Sequence, residues 1–458
     1  MTTASSLHWS SRFTFIMAAV GCAVGLGNIW LFPYTAGVSG GGAFVLVYLA
    51  AVVVLALPVL IAELMIGRRG AAGPPAAIEA VALESGRSGN WRWMGIFLGG
   101  VGALLALAFY GVVGGWTMAY TFKLAAGQFQ GIDAPMAARM FDELNGDAGS
   151  LLPWVAVFFA ATVFISARGL HSGIETAVKV MMPALFFMLL TMVIYAAVVG
   201  DFGRAVTFLF EPDFSKVTSK VVLAAFGQAF FSVSVGIANM MAYGAYMDRS
   251  TNLPGSAAVI VGADTAVALL AGLAIFPLVF MYGLEPAGGP GLVFMTLPFA
   301  FGQVSGGLIF GTVFFLLLSF AALTSAIGML EAPVAWLSDA TRLTRRSAAL
   351  CAGLVALTLS ILAALSFNEL ADFHPLAAFS MFADKGLFEL FVYAVTQFLM
   401  PIGGLLTIVF AGWLVQSQFS RDELYDGKNT LQYRVWLFLV RFVVPVLLTL
   451  VLIDVATA

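Results

Sequence analysis

Apolar residues run along this chain in long blocks, with the polar positions gathered between them. A membrane-crossing helix takes roughly 20 apolar residues. Eleven blocks approach or exceed that length, near 12–37, 42–67, 93–126, 152–167, 175–199, 221–246, 255–282, 306–337, 348–366, 385–415 and 433–455. The pattern predicts an all-α integral membrane protein in a single domain, with eleven transmembrane helices and no room for a twelfth. The longer connections, 127–151, 200–220, 283–305 and 367–384, all fall on one face. Within 283–305, the apolar run from Gly291 to Pro298 predicts a short helix folded back over that face.

Composition agrees: 61% of residues are hydrophobic and 10% charged, so the lipid bilayer is the first partner. The net charge of −3 comes without a basic run, and nucleic acid is not an expected partner. With a cytoplasmic N-terminus, fourteen Lys and Arg fall inside, among them Arg68, Arg69, Arg168, Arg345 and Arg346, against six outside. That excess follows the positive-inside rule and puts the C-terminus outside. The first eleven residues carry no Lys or Arg and the block after them is a full span, so no cleavable leader is expected. Cys22 and Cys351 both lie in spans and give no disulfide framework, and His8, His171 and His374 have no metal-ligand spacing. No organic cofactor is expected.

Two spans contain residues that a lipid-facing helix avoids. The first carries Gly21, Gly25, Gly27 and Asn28; the sixth carries Gly227, Gln228, Ser232, Ser234, Gly236 and Asn239. Glycine loosens a helix and Asn is costly to bury. Irregular backbone at membrane depth is tolerated only inside protein or along a polar cavity. There it frees carbonyls for a cation and amides for an anion. Breaks five spans apart imply two five-helix repeats, 12–199 and 221–415, followed by an eleventh helix at 433–455. Five is odd, so the second repeat is inverted, the architecture of secondary transporters with the site between the repeats.

At these positions a family resemblance emerges. Gly25-Leu-Gly-Asn-Ile-Trp-Leu-Phe-Pro-Tyr34, Gly40-Gly-Gly-Ala-Phe44, Glu63 with Gly67-Arg68, Gln228-Ala-Phe-Phe-Ser232 and Leu323-Thr-Ser325 resemble the neurotransmitter:sodium symporters. The resemblance covers nearly the whole chain and implies a leucine-transporter-type fold with one or two sodium ions. It implies a first sodium held by the Ala23 carbonyl, Asn28, Ser232 and Asp264. A second would lie among Gly21, Val24, Ala321, Thr324 and Ser325. Gly173 and Pro183 are similar to a family motif that unwinds the fifth helix. Asp264 stands where much of the family has Asn and relies on chloride, while the alternative acidic position is Ala268; chloride independence is the expectation. Glu63 is expected to bond the broken backbones.

By the same resemblance the substrate lies against Cys22, Ala23, Gly25, Leu26, Gly27, Ala106, Tyr110, Phe231, Ser232, Ser234, Ile237, Ser325 and Met329. Tyr110 and the freed amides would hold a carboxylate. Gly25 stands where amine transporters carry Asp, which favours an amino acid over a monoamine. No charged side chain lines the pocket, so a neutral, apolar amino acid is expected. The gates depart from the family. Leu31 replaces an arginine and its acidic partner maps near Leu387, so an apolar outer gate of Leu31 against Leu387, with Phe231 as lid, is expected. Inside, an arginine is replaced by Ser6, and Tyr246 with Arg12 is expected to engage Asp339 around Trp9, leaving a weaker, more inward-open gate. The expected function is sodium-coupled amino-acid symport across a bacterial inner membrane, as a monomer or dimer. Another small carboxylate or an osmolyte such as betaine or taurine is the alternative cargo. A nontransporting sensor or channel-like protein is the more distant alternative, and no enzymatic constellation is present.

Overall fold

The computed structural model describes residues 8–283 and 291–457; Ser6 and the 284–290 part of one external connection lie outside them. Every regular element among the described residues is helical. Among the described residues, nine helices are long and apolar enough to cross a membrane: Gly42–Gly70, Gly89–Ala125, Ala148–Ala167, Leu170–Val199, Leu253–Met281, Gly307–Ala340, Arg345–Leu365, Leu387–Leu414 and Leu431–Ala456. They are the second to fifth and seventh to eleventh spans. The first span is a pair, Arg12–Ala23 and Gly27–Val38, bent by 51°. The sixth is also a pair, Ser219–Val233 and Asn239–Ala245, each half too short to cross alone. Counted this way, each of the eleven blocks is one helix or one broken helix. The expected external helix is present as Leu292–Gln303.

The breaks form where the sequence loosens the helix. Val24 turns extended (ψ 105°), and the Asn28 side-chain oxygen accepts the Gly25 amide at 3.0 Å. The chain resumes as a π-helical turn over Gly27–Leu31, a geometry frequent at functional sites. In the sixth span Ser234, Gly236 and Ala238 all have positive φ (56°, 94° and 58°). Left-handed backbone costs a non-glycine residue roughly 1–2 kcal/mol, so surrounding contacts must hold it. Glu63 of the second span is one, accepting the Gly236 amide at 2.7 Å, with the Ala238, Met240 and Met241 amides turned toward the same carboxylate.

The eighth span forms the centre: 83% of its apolar window is buried, against 28% for the fourth and eleventh spans, which line the rim. Phe164, Phe187, Val198, Leu354 and Phe438 are exposed on outward faces, as a lipid solvent allows. The second span packs on the inner half of the sixth almost backbone to backbone. A Cβ at Gly67 would fall 2.0 Å from the Met241 carbonyl, and one at Gly244 2.6 Å from the Leu64 carbonyl. At the end of the second span, buried Arg68 pairs with Glu423 at 2.5 Å and donates to the carbonyls of Thr251 (2.7 Å) and Glu423. It thereby ties the second span to the short helix Ser417–Tyr425, the polar stretch before the eleventh span.

Candidate ion and substrate site

The two breaks face each other at mid-depth, and buried oxygens collect between them. The Asn28 side-chain nitrogen lies 2.8 Å from Ser232 Oγ, 3.0 Å from the Asp264 carbonyl and 2.8 Å from Asp264 Oδ1. Ser232 Oγ donates to Asp264 Oδ2 at 2.6 Å. All three side chains are fully buried. One amide nitrogen with two protons thus meets three acceptors, and a donor set so rich in oxygen suits a hard cation. Ala23 closes the helix just before this point. Tyr48 joins the cluster through its hydroxyl, 3.2 Å from Ser232 Oγ. Gln228 braces it, donating to the Gly27 carbonyl at 2.8 Å. Neither Tyr48 nor Gln228 received a role from the sequence; a buried polar residue on the span beside the break was the available signal.

The second predicted group is also brought together. Ser325 Oγ lies 3.3 Å from the Gly21 carbonyl and 3.2 Å from that of Val24. Thr324 Oγ1 lies 3.0 Å from the Phe320 carbonyl and 3.1 Å from that of Ala321. Met182 of the fifth span covers Gly21. That span is wound in this conformation, with a π-helical turn at Leu170–Glu175 and Pro183 inside the helix, so Gly173 and Pro183 lie in continuous helix.

Above these clusters Tyr110 Oη accepts the freed Leu26 amide at 3.2 Å. A Cβ at Gly25 would meet Ser325 Oγ at 2.4 Å and Tyr110 Oη at 2.6 Å. Gly25 therefore lets both hydroxyls press close against the backbone beside the Leu26 amide, and hydroxyls and amides are the donors a carboxylate takes. The Phe231 ring covers Gly27, and Ser234 Oγ donates to the Cys22 carbonyl at 3.3 Å. Ile237 rests on Gly102, one turn before Ala106, while Cys22 rests on Gly328 beside the buried Met329.

Two gate expectations are corrected. Outside, a cavity of ≈ 550 Å³ descends to Phe231 and Leu31, and the tenth span lines it with Val392, Thr396 and Gln397. Leu387 is not among its walls: it is the first residue of its helix, and the wall begins more than a turn deeper. Inside, Tyr246 donates to Glu331 Oε1 at 2.8 Å, not to Asp339, and Arg345 grips both Glu331 oxygens at 2.8 and 2.6 Å. Asp339, two turns nearer the cytoplasm, caps the helix at Pro74–Glu84 by accepting the Gly73 amide at 2.6 Å. Arg12 donates to Ser256 at 3.1 Å. In this conformation the plug is closed. Trp9 is buried, its Nε1 donating to the Tyr243 carbonyl at 3.0 Å and its amide to the Tyr246 carbonyl at 2.9 Å. The Ser10 amide donates to Glu175 at 2.8 Å. Beside this plug a cavity of ≈ 490 Å³ is lined by Arg12 and Asp248. The Ser250 hydroxyl and amide hold the Asp248 carboxyl below its usual range.

Two spans broken at mid-depth, facing each other across oxygen-rich clusters in an all-α membrane bundle, define a secondary transporter of the leucine-transporter type. The chain belongs to the sodium:neurotransmitter symporter family, whose model matches residues 7–130 and 139–457. It is therefore one of a family of sodium-dependent transporters, not of enzymes. It is 36% identical over 456 residues to the uncharacterized sodium-dependent transporter YhdH of Bacillus subtilis (strain 168), covering 99% of this chain and 98% of the relative. An uncharacterized sodium-dependent transporter of Haemophilus influenzae is 32% identical over 453 residues, covering 97% of each. Among solved structures, MhsT in complex with L-phenylalanine superposes with a TM-score of 0.88 at 36% identity, over 98% of this chain and 99% of that one.

Proposed function

We propose that this protein is a sodium-coupled symporter that carries a neutral amino acid, with an apolar side-chain body, into the cell by alternating access and without chloride. The observation that carries the reading is buried Asp264, held by Asn28 and Ser232 with no basic side chain among its hydrogen-bond partners. A carboxylate at membrane depth needs a compensating charge, and a sodium ion among these oxygens supplies it. With the negative charge built into the chain, no anion has to be bound. The second ion belongs among Gly21, Val24, Ala321, Thr324 and Ser325.

The donors gathered at Gly25 make Tyr110, Ser325 and the Leu26 amide the partners of a substrate carboxylate, beside the first ion. Ion and substrate then order the same broken backbones, so each raises the other's affinity by the same factor. The first, second, sixth and seventh spans move against the third, fourth, eighth and ninth, with the charge distribution placing the N-terminus in the cytoplasm. The apolar surfaces of Cys22, Ala106, Ile237 and Met329 receive the side chain. Support for the cargo class comes from the superposition on MhsT, whose solved complex holds L-phenylalanine.

The test is the melting temperature of the purified protein in sodium or potassium, free of chloride, with a panel of amino acids, betaine and taurine. A ligand that binds only the folded state raises it. A rise with neutral amino acids that needs sodium supports the reading. A rise with betaine or taurine alone overturns the cargo, and equal behaviour in sodium and potassium overturns the ion coupling.

A further inference from the structure

The inner half of the sixth span carries two buried polar side chains that nothing among the described residues satisfies. Asn239 is fully buried and neither its amide oxygen nor its nitrogen has a hydrogen-bond partner; the hydroxyl of buried Tyr243 has none either. Buried polar groups in folded proteins are almost always paired, so a specific orphan calls for an explanation. Of the other orphans, Ser360 and Thr407 are single hydroxyls on continuous helices, where a small rotation reaches the carbonyl one turn back, while the buried Tyr120 hydroxyl stands alone on the third span among aromatic rings. Asn239 and Tyr243 have no such remedy. Asn239 opens its half-helix after the break, and a tyrosine hydroxyl projects too far to reach its own helix.

Their placement gives the pair a role. Residues four apart share one helix face. Met241 and Gly244 are pressed against the second span at Gly67 and Leu64, so Asn239 and Tyr243 lie on the opposite face, toward the first and eighth spans. The Tyr243 hydroxyl is 3.2 Å from where a Cβ on Gly328 would stand, and Cys22 Sγ is 2.4 Å from that same point. This is the floor of the candidate substrate pocket, below Cys22 and next to Met329. Asn239 lies one turn above Tyr243, two residues after Ile237.

Resting on the amino-acid reading above, we infer that Asn239 and Tyr243 are specificity residues that recognise a hydrogen-bonding atom at the far end of the substrate's side chain. The cargo is then an amino acid with an apolar body and a single polar tip, such as the phenol of tyrosine or the indole N–H of tryptophan. Asn239 offers both a donor and an acceptor, and so does a tyrosine hydroxyl, so a tip of either sense is paired. A site built to hydrogen-bond such a tip discriminates strongly against the analogue without it, because its own groups are then left unpaired.

The experiment measures sodium-dependent affinity for the matched pair L-tyrosine and L-phenylalanine, with L-tryptophan as a third ligand, in the full-length protein and in Asn239→Leu, Tyr243→Phe and Ser360→Ala. The inference expects tyrosine to bind at least about tenfold more tightly than phenylalanine. That ratio falls to within about twofold in Asn239→Leu or Tyr243→Phe and is unchanged in Ser360→Ala. If Asn239→Leu does not fold, Tyr243→Phe decides. Equal affinities in the unmodified protein, a preference for phenylalanine, or a tyrosine preference that survives both substitutions overturns the inference; in the first case the orphans hold only water. Failure of every amino acid to bind in sodium instead overturns the proposed function, and the two failures are distinct.

Discussion

Replacing Tyr246 by Phe removes one atom, and its effect can be worked through. The hydroxyl joins the inner half of the sixth span to Glu331 of the eighth at 2.8 Å. A hydrogen bond to a charged group contributes about 1.5–3 kcal/mol. Glu331 keeps both contacts to Arg345, at 2.8 and 2.6 Å, so its charge is not left unpaired and the lower figure applies. A loss of about 1.5 kcal/mol, borne only by the conformation closed on the cytoplasmic side, raises the inward-open population about tenfold. Native Cys22 reports it, being fully buried on the pocket floor behind Tyr243 and Trp9. In a Cys351→Ser background, inside-out vesicles without sodium are treated with a charged thiol reagent. The Cys22 labelling rate is expected to rise about tenfold in Tyr246→Phe. A rate within twofold of the parent, while a Trp9→Ala control labels faster, refutes the assignment of this clasp to the inner gate.

Three further outcomes are expected. Asp264→Asn weakens sodium binding at least about tenfold, or makes substrate binding depend on chloride; a titration of the melting temperature with each salt shows which, and no change in either contradicts the role given to Asp264. Gly25→Ala puts a methyl 2.4 Å from Ser325 Oγ and 2.6 Å from Tyr110 Oη; overpacking of about 1–3 kcal/mol lowers amino-acid affinity roughly tenfold to a hundredfold, measured by competition binding. Arg68→Ala leaves buried Glu423 with only its longer contact to Arg69 at 3.5 Å, a loss toward the lower end of about 3–5 kcal/mol, whereas Arg92→Ala at the largely exposed pair with Glu79 costs almost nothing. Melting curves of the two variants side by side test that contrast.

The spans and both breaks were legible because membrane insertion writes them into composition: long apolar blocks, and Gly, Ser and Asn where a lipid-facing helix has none. The meeting of Asn28, Ser232 and Asp264 was legible because they are expensive residues at that depth. The gates were not. Glu331 and Asp339 lie on one helix eight residues apart, and nothing local distinguishes the acid that meets Tyr246 from the one that caps Gly73. That choice depends on Arg345, which reaches back from the start of the next span. Leu387 failed for a related reason: the helix start fixes which turn faces the cavity, and charged neighbours such as Asp384 and Glu389 do not mark it. Asn239 was visible as a sign of the break, but its lack of any partner is a property of three-dimensional packing alone.

The contact between Gly67 and the Met241 carbonyl, repeated at Gly244 and Leu64, sets how motion is transmitted. Side chains between two helices give play, since rotamers can readjust before the backbones shift. A joint in which backbone meets backbone has no such slack. A displacement of the second span therefore passes to the inner half of the sixth without delay, and Glu63, anchored at Gly236 on the same joint, carries it up to the break. The unwound segment is then the end of a stiff lever, not a loose hinge, and under the proposed function an ion bound at one end is felt at the Trp9 plug at the other.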